Sequence, residues 1–288
     1  MSAPGETLFI EGNGPRIAYE VHGADPGAPT LILAHGNSSH RGLWRPMVGR
    51  LLGVLDVRVV LVDMRGHGES EHVRPPAYDP SDHASDLERV VRHLSSARYA
   101  VIGHSAGALA VTAFAARCAR ETMTVPPPAA LVWIDIDPCV PAWQVEFFNT
   151  RADTVGRLYP DADSAVRALV KGIQKTNAGI REDVLSNFVA EGLKQTPAGF
   201  MLKLDPQTYA TWSPGDLRPL LPLVNIPALV LRGGSSIVSS DQGVAELRAG
   251  LPRVTCAVVE AGSHYFPLDH PVETAELLVD FLRGELLG

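Results

Sequence analysis

Short apolar runs of four to six residues recur along the chain, bounded by Gly, Asp or Pro. They predict buried strands at Thr30–Ala34, Val57–Val62, Tyr99–Ile102, Ala130–Ile134, Ala228–Leu231 and Thr255–Val259. Between them the spacing of apolar positions turns helical. Ser81–Leu94 follows Asp79-Pro80, a good helix start, and Ala106–Arg120 is Ala-rich and ends in basic residues. Val272–Leu287 is an amphipathic closing helix introduced by Pro271. Strands that alternate with helices predict an α/β fold, a mostly parallel sheet covered by helices on both faces.

One stretch breaks the rhythm. From Cys139 to about Pro214 no convincing strand occurs, and helical patterns dominate, two of them at Ser164–Gln174 and Arg181–Gly192. The strand pattern resumes at Pro227. The expected organisation is a core of residues 1–138 and 215–288 with residues 139–214 as a helical cap insertion. A cap would lie over the strand ends, where ligands bind in such sheets. Extra helices on one flank would give the same pattern.

The chemistry concentrates in Tyr99-Ala-Val-Ile-Gly103-His104-Ser105-Ala106-Gly107. A strand runs into Gly-x-Ser-x-Gly and then into a helix. Such a sharp turn exposes the serine oxygen, and its crowding calls for glycine two residues to either side. The helix that follows aims its amides at the same point. Ser105 is therefore the candidate nucleophile.

A serine hydroxyl needs a base. Of the ten histidines, His264 lies between the last expected strand and the last helix, on the sheet edge that carries Ser105. His35 and His104 read as structural and His67 as a loop support. His22, His72, His83, His93 and His270 are assigned to the surface by default, and His40 lies in a loop bordering the site.

The acid that orients the base commonly follows the strand read here as Ala228–Leu231, but Ile237 stands where Asp is expected. Asp241 reads as the start of a helix. The preceding strand ends in Ile134-Asp135-Ile-Asp137-Pro138, and Asp135 keeps the order nucleophile, acid, base. Asp135 is the expected acid, with Asp137 and Asp241 as alternatives. For the developing oxyanion, the backbone amide of Ala106 and that of Asn37, in His35-Gly36-Asn37, are the expected donors. The aromatics Trp143, Phe147, Tyr209 and Trp212 of the insertion either line a substrate pocket or form the insertion's own core.

Composition narrows the remaining choices. The 288 residues carry a net charge of -7 and no basic cluster, which gives no support to nucleic-acid binding. No 18-residue apolar run suggests a membrane span, and the first residues do not read as a secretory leader. Three widely spaced cysteines fit reduced thiols in a cytoplasmic protein and resemble no metal site. The expected partner is a small-molecule substrate, with no cofactor and no metal.

Taken together, His35-Gly36, Asp63-Met-Arg-Gly-His-Gly-Glu-Ser70, Gly103-His-Ser-Ala-Gly107 and Ala261-Gly-Ser-His264 resemble the α/β-hydrolase superfamily over nearly the whole chain. The resemblance implies an eight-stranded-type sheet and a serine esterase mechanism. The segments around Asp135 and Gly233–Ser239 resemble the esterase subgroup that places its acid after the sixth strand. His35-Gly36-Asn37 with Leu43-Trp44-Arg45 is similar to haloalkane dehalogenases. Those use an Asp followed by Trp, where this chain has Ser105 and Ala106. His264-Tyr-Phe-Pro-Leu-Asp269-His-Pro271 resembles cofactor-free ring-cleaving dioxygenases. The expected function is cleavage of an ester, lactone or thioester. A dioxygenase of a heteroaromatic substrate, a cyclase or acyl transferase, and a ligand receptor remain the alternatives on this fold.

Overall fold

The computed structural model of the protein describes residues 5–23, 25–120 and 123–287. Eight strands form one sheet: β1 (Leu8–Ile10), β2 (Ile17–Gly23), β3 (Thr30–Ala34), β4 (Arg58–Val62), β5 (Tyr99–His104), β6 (Ala130–Ile134), β9 (Ala228–Gly233) and β10 (Val254–Val259). The strands β7 (Leu193–Thr196) and β8 (Gly199–Leu202) form a separate antiparallel hairpin. The order in the main sheet is β1-β2-β4-β3-β5-β6-β9-β10. Pairing is antiparallel from β1 to β4 through β2, and parallel from β4 onward.

The helices are α1 (Arg45–Val54), α2 (Pro80–Leu94), α3 (Ala106–Ala119), α4 (Ala142–Asn149), α5 (Ala152–Val155), α6 (Ala162–Gln174), α7 (Glu182–Glu191), α8 (Gln207–Ala210), α9 (Asp241–Gly250), α10 (Phe266–Asp269) and α11 (Pro271–Leu286). The central strands are apolar at nearly every position, with Thr30, Arg58 and His104 only at their ends, because both faces are covered. Ile32, Val60, Val101 and Trp133 face one buried cluster, shared with α2 and α3. Leu31, Leu61, Ile102 and Val132 face the other, shared with α1 and α11.

Two strands at one side of the sheet, β1 and β2, were not among the six expected. β2 reads Ile-Ala-Tyr-Glu-Val-His-Gly, and its polar positions conceal a strand. Its Glu20 is fully buried, and Arg41 and Arg45 neutralise it, with Arg41 Nε at 2.7 Å and Arg45 Nη2 at 2.5 Å. The His22 ring and the two guanidiniums hold the Glu20 carboxyl well below its usual range against the opposing effect of burial.

Residues 139–214 sit between β6 and β9. They hold α4 to α8, so the helical reading stands, but the β7–β8 hairpin corrects the expectation that no strand occurs there. Its strands have four residues each, too few for an alternating pattern to register. The turn between them uses Gly199 at φ 131°, where a Cβ would lie 2.3 Å from the Tyr159 carbonyl oxygen. The insertion is continuous with the core. Val170, Leu185, Phe188 and Val189 join the cluster of α1 and α11, whereas Trp212 joins the other.

Candidate active site

The parallel strands β3, β5, β6 and β10 deliver their following loops to one end of the sheet. Ser105 follows β5 at φ 53°, ψ −124°, a conformation unfavourable to any residue with a Cβ. The surroundings over-determine it. The Ser105 amide donates to the Ile134 carbonyl of β6 at 2.8 Å, and the carbonyl of Ser105 accepts from the Ala108 amide at 2.8 Å. Close packing explains the flanking glycines: a Cβ on Gly103 would lie 2.3 Å from the Gly107 oxygen, and one on Gly107 would lie 2.3 Å from the Ala34 oxygen.

Asp135 follows β6, also with positive φ, at 56°. That reversal turns its buried carboxylate toward three donors. They are the Gly233 amide at 2.8 Å, Ser236 Oγ at 2.5 Å and His264 Nδ1 at 2.7 Å. Because a carboxylate accepts at Nδ1, the neutral imidazole carries its lone pair on Nε2. Neither Nε2 of His264 nor Oγ of Ser105 bonds to another described residue. Catalytic hydrogen bonds between nucleophile and base commonly close only with substrate bound.

Asp137 and Asp241 are placed elsewhere. Asp137 accepts from the Ser240 amide at 2.8 Å and the Ser240 hydroxyl at 2.7 Å, at the start of α9. Asp241 lies on the surface in an ion pair with Arg232.

The backbone of the His264 loop is itself held. His104 is fully buried, and burial, with the nearby His264, pushes its pKa far below the usual histidine range. It is therefore neutral, and its Nε2–H donates to the His264 carbonyl at 2.8 Å. On the other side of Ser105, a Cβ on Gly36 would lie 2.7 Å from that of Ser105, so the loop after β3 packs against the nucleophile. The amides of Asn37 and Ala106 donate to no acceptor among the described residues. The Asn37 side chain is engaged away from Ser105, 3.0 Å from His67 Nε2 and 3.4 Å from the Thr208 carbonyl. Any donation from Asn37 to a reacting group thus falls to its backbone.

His35 is structural, as read from the sequence. It accepts the Met64 amide at 3.0 Å and donates to the Gly36 carbonyl at 2.7 Å. His67 supports its loop through the Arg65 carbonyl at 2.9 Å. Burial pushes both histidines down to about 3, so both are neutral. His40 joins the loop to the insertion, stacking on Phe188 at 4.4 Å and meeting its carbonyl at 2.9 Å. His83 corrects the surface assignment. It is 7% exposed, and burial keeps it far below the usual range, because its position on α2 faces the core.

The four aromatics divide. Tyr209 bonds Ser38 beside Asn37 and packs edge-on against Phe148, and Trp212 packs against the same Phe148 at 4.7 Å. Trp143 and Phe147 stand exposed on α4, 54% and 44%. Trp143 borders a surface cavity of about 250 Å³ with Asp137, Cys139, Arg218 and Ile237. Sequence reading missed Ser236, one of four serines between β9 and α9 that no local rule tells apart. It also missed Tyr265, whose only signal was its place beside His264.

This arrangement of strained serine, histidine and strand-end carboxylate on an eight-stranded sheet defines a class. The chain belongs to the alpha/beta hydrolase family, whose sequence profile matches residues 31–277. It is 26% identical to 2-(acetamidomethylene)succinate hydrolase of Mesorhizobium japonicum, over 93% of this chain and 92% of that protein. The crystal structure of E-2-(acetamidomethylene)succinate hydrolase superposes with a TM-score of 0.78 at 22% identity, covering 96% of this chain and 98% of that one. The enol-lactonase of Burkholderia xenovorans LB400 superposes at 0.76 and 22% identity, covering 96% and 99%. Among the described residues, no helix is long and apolar enough to cross a membrane.

Proposed function

We propose that this protein is a serine hydrolase that cleaves an ester, lactone or thioester of a small organic molecule through an acyl-enzyme. The observation that carries this reading is the 2.7 Å bond from His264 Nδ1 to Asp135, beside Ser105 in its strained turn. His264 Nε2 takes the Ser105 proton as Oγ attacks the carbonyl carbon. The oxyanion is stabilised by the amides of Asn37 and Ala106. The tetrahedral species collapses, the alcohol or thiol leaves with the proton from His264, and the acyl group stays on Oγ. Water, deprotonated by His264, then releases the acid. Asp135 stabilises the imidazolium in both steps. Residues 139–214 act as the cap, and Tyr209, joined through Ser38 to the loop that carries the Asn37 amide, lines the substrate side. The hydrolase names of the relatives agree with this chemistry.

The test is a fluorophosphonate probe read by intact mass, with Ser105→Ala alongside. One adduct on wild type and none on the variant is expected. Ester turnover should fall by at least about 10³-fold in the variant. A Ser105→Ala protein with undiminished turnover overturns the reading.

A further inference from the structure

Tyr265 follows His264 directly, and its ring stands edge-on to the imidazole at 5.5 Å. It also lies 5.9 Å from His104 and 6.1 Å from Phe188 of α7, so it sits where core and insertion meet. Its backbone is fixed. The Tyr265 amide donates to Ser263 Oγ at 3.1 Å, and its carbonyl accepts the Leu268 amide at 2.7 Å. The residue is 8% exposed, yet its hydroxyl bonds to no described residue.

That is unusual within this molecule. The buried Tyr19, Tyr78, Tyr99 and Tyr209 hydroxyls bond His93, Asp205, the Pro126 carbonyl and Ser38 respectively. Tyr159, whose ring lies under the Arg157 guanidinium, is the other without a bond. A hydroxyl that no protein group engages is free to donate to an acceptor that a ligand brings. The hydroxyl is not sealed in the core but keeps contact with solvent.

The charges around the site indicate what kind of acceptor fits. Arg41 is held by Glu20 and Asp63, and Arg45 by Glu20 and Glu191. Arg65 is held by Asp86, Arg74 by Asp205 and Lys203 by Glu69. The cations of the loops after β3 and β4 and of the hairpin end are thus matched by carboxylates. A ligand beside His264 meets neutral donors, and Arg151, a cation of the insertion without a carboxylate, is engaged by the Phe147 ring and carbonyl, so an uncharged acceptor is the one that needs no further partner there.

We infer that Tyr265 is a specificity-determining residue whose hydroxyl donates a hydrogen bond to an uncharged oxygen of the substrate. The substrate is then a neutral oxygenated ester, lactone or thioester, carrying an ether, keto or hydroxyl oxygen near the scissile carbonyl. This rests on the serine hydrolase reading and deepens it.

The test compares wild type and Tyr265→Phe on p-nitrophenyl hexanoate and on analogues with one acyl methylene replaced by oxygen, position by position beyond the α-carbon. A parallel series places the oxygen in the alcohol half, and one further member of each series ends in a carboxylate. Rates are normalised to hydroxide hydrolysis. Wild type should prefer at least one oxygen-bearing member over its plain partner by about tenfold, through KM rather than kcat. Tyr265→Phe should abolish that preference. A preference that survives in Tyr265→Phe, or no preference in either series, overturns the inference, as does selection of the carboxylate member. Fluorophosphonate labelling of the same samples separates the two readings. A labelled wild type without the preference overturns this inference alone, whereas an unlabelled wild type overturns the assignment of Ser105 first.

Discussion

Two walls flank Ser105, and they hold their shape by different means. The wall beyond β6 and β9 is built on carboxylates. Asp135 accepts from Gly233, Ser236 and His264, and Asp137 accepts twice from Ser240. The wall beyond β3 and β4 offsets its buried carboxylate, Asp63, with the Arg41 guanidinium, and adds the histidines His35 and His67, which burial keeps neutral. A charged wall suits a base that becomes cationic during turnover. A wall whose carboxylate is already matched by a guanidinium suits a loop whose amides face an oxyanion, because an unmatched carboxylate there would oppose the developing charge. Within the charged wall, Asp135 and Asp137 each accept from one backbone amide and one serine hydroxyl, of different residues, and only Asp135, at positive φ, also meets the histidine. Backbone conformation, more than residue type, separates the two carboxylates.

The largest expected effect breaks the charged wall at its centre. Asp135→Asn should lower kcat by about 10⁴-fold, since the amide no longer fixes the Nδ1–H tautomer. Steady-state kinetics on a folded variant, judged by circular dichroism, would show it. A loss under tenfold would remove Asp135 from the proposed triad.

Acid should strain the histidine-bearing wall. His35 and His67 have folded pKa values near 3, against 6.5 ordinarily, so unfolding takes up protons below 6.5. Their contribution to stability is complete above 6.5 and is lost as the pH falls from there toward 3. At about 1.4 kcal/mol per pH unit for each group, these two should remove about 2–4 kcal/mol of stability between pH 6.5 and 5, and His83 and His104, pushed the same way, add to that loss. Urea unfolding at several pH values would measure it. Glu20 and Asp205, both held below their usual carboxyl range by ion pairs, contribute loss only below about 4.5. A decline confined to that lower range would count against the histidines.

Smaller effects separate the two carboxylates further. Ser236→Ala removes one of three donors to Asp135 and should reduce kcat/KM about tenfold, with the pH profile of kcat/KM displaced. An unchanged profile would leave Ser236 a mere loop contact. Asp137→Asn should leave kcat/KM within about threefold and reduce stability by about 1 kcal/mol, because only the start of α9 loosens. A large loss of activity from Asp137→Asn would erase the distinction between the two residues.

Much of this frame could be read from residues alone. The central strands were legible because burial on both faces leaves continuous apolar runs, as in β4, Arg-Val-Val-Leu-Val. β2 was not, because its buried Glu20 is explained only by Arg41 and Arg45, more than twenty residues on in the chain. The Gly-x-Ser-x-Gly turn located Ser105, and chain order indicated that Asp135 and His264 would meet, which they do at 2.7 Å. What sits around them was less legible. The burial of His83, the outward stance of Trp143 and Phe147, and the free hydroxyl of Tyr265 all depend on which face of a helix or loop meets the rest of the molecule. That is a property of packing, which local periodicity does not encode.

The sharing of buried clusters between residues 139–214 and the sheet layer bears on how this enzyme lineage can change. A segment whose apolar contacts were all internal would be a cassette, exchangeable by recombination at its two ends; this one has small clusters of its own around Tyr209 and Tyr159 but is not closed on itself. Here Phe188 and Val189 are embedded with α1 and α11, and Trp212 with the opposite cluster. A foreign segment would have to match both at once. New substrate preferences are therefore more accessible by single substitutions from within, at positions such as Phe148 or Tyr209, than by wholesale replacement of the segment.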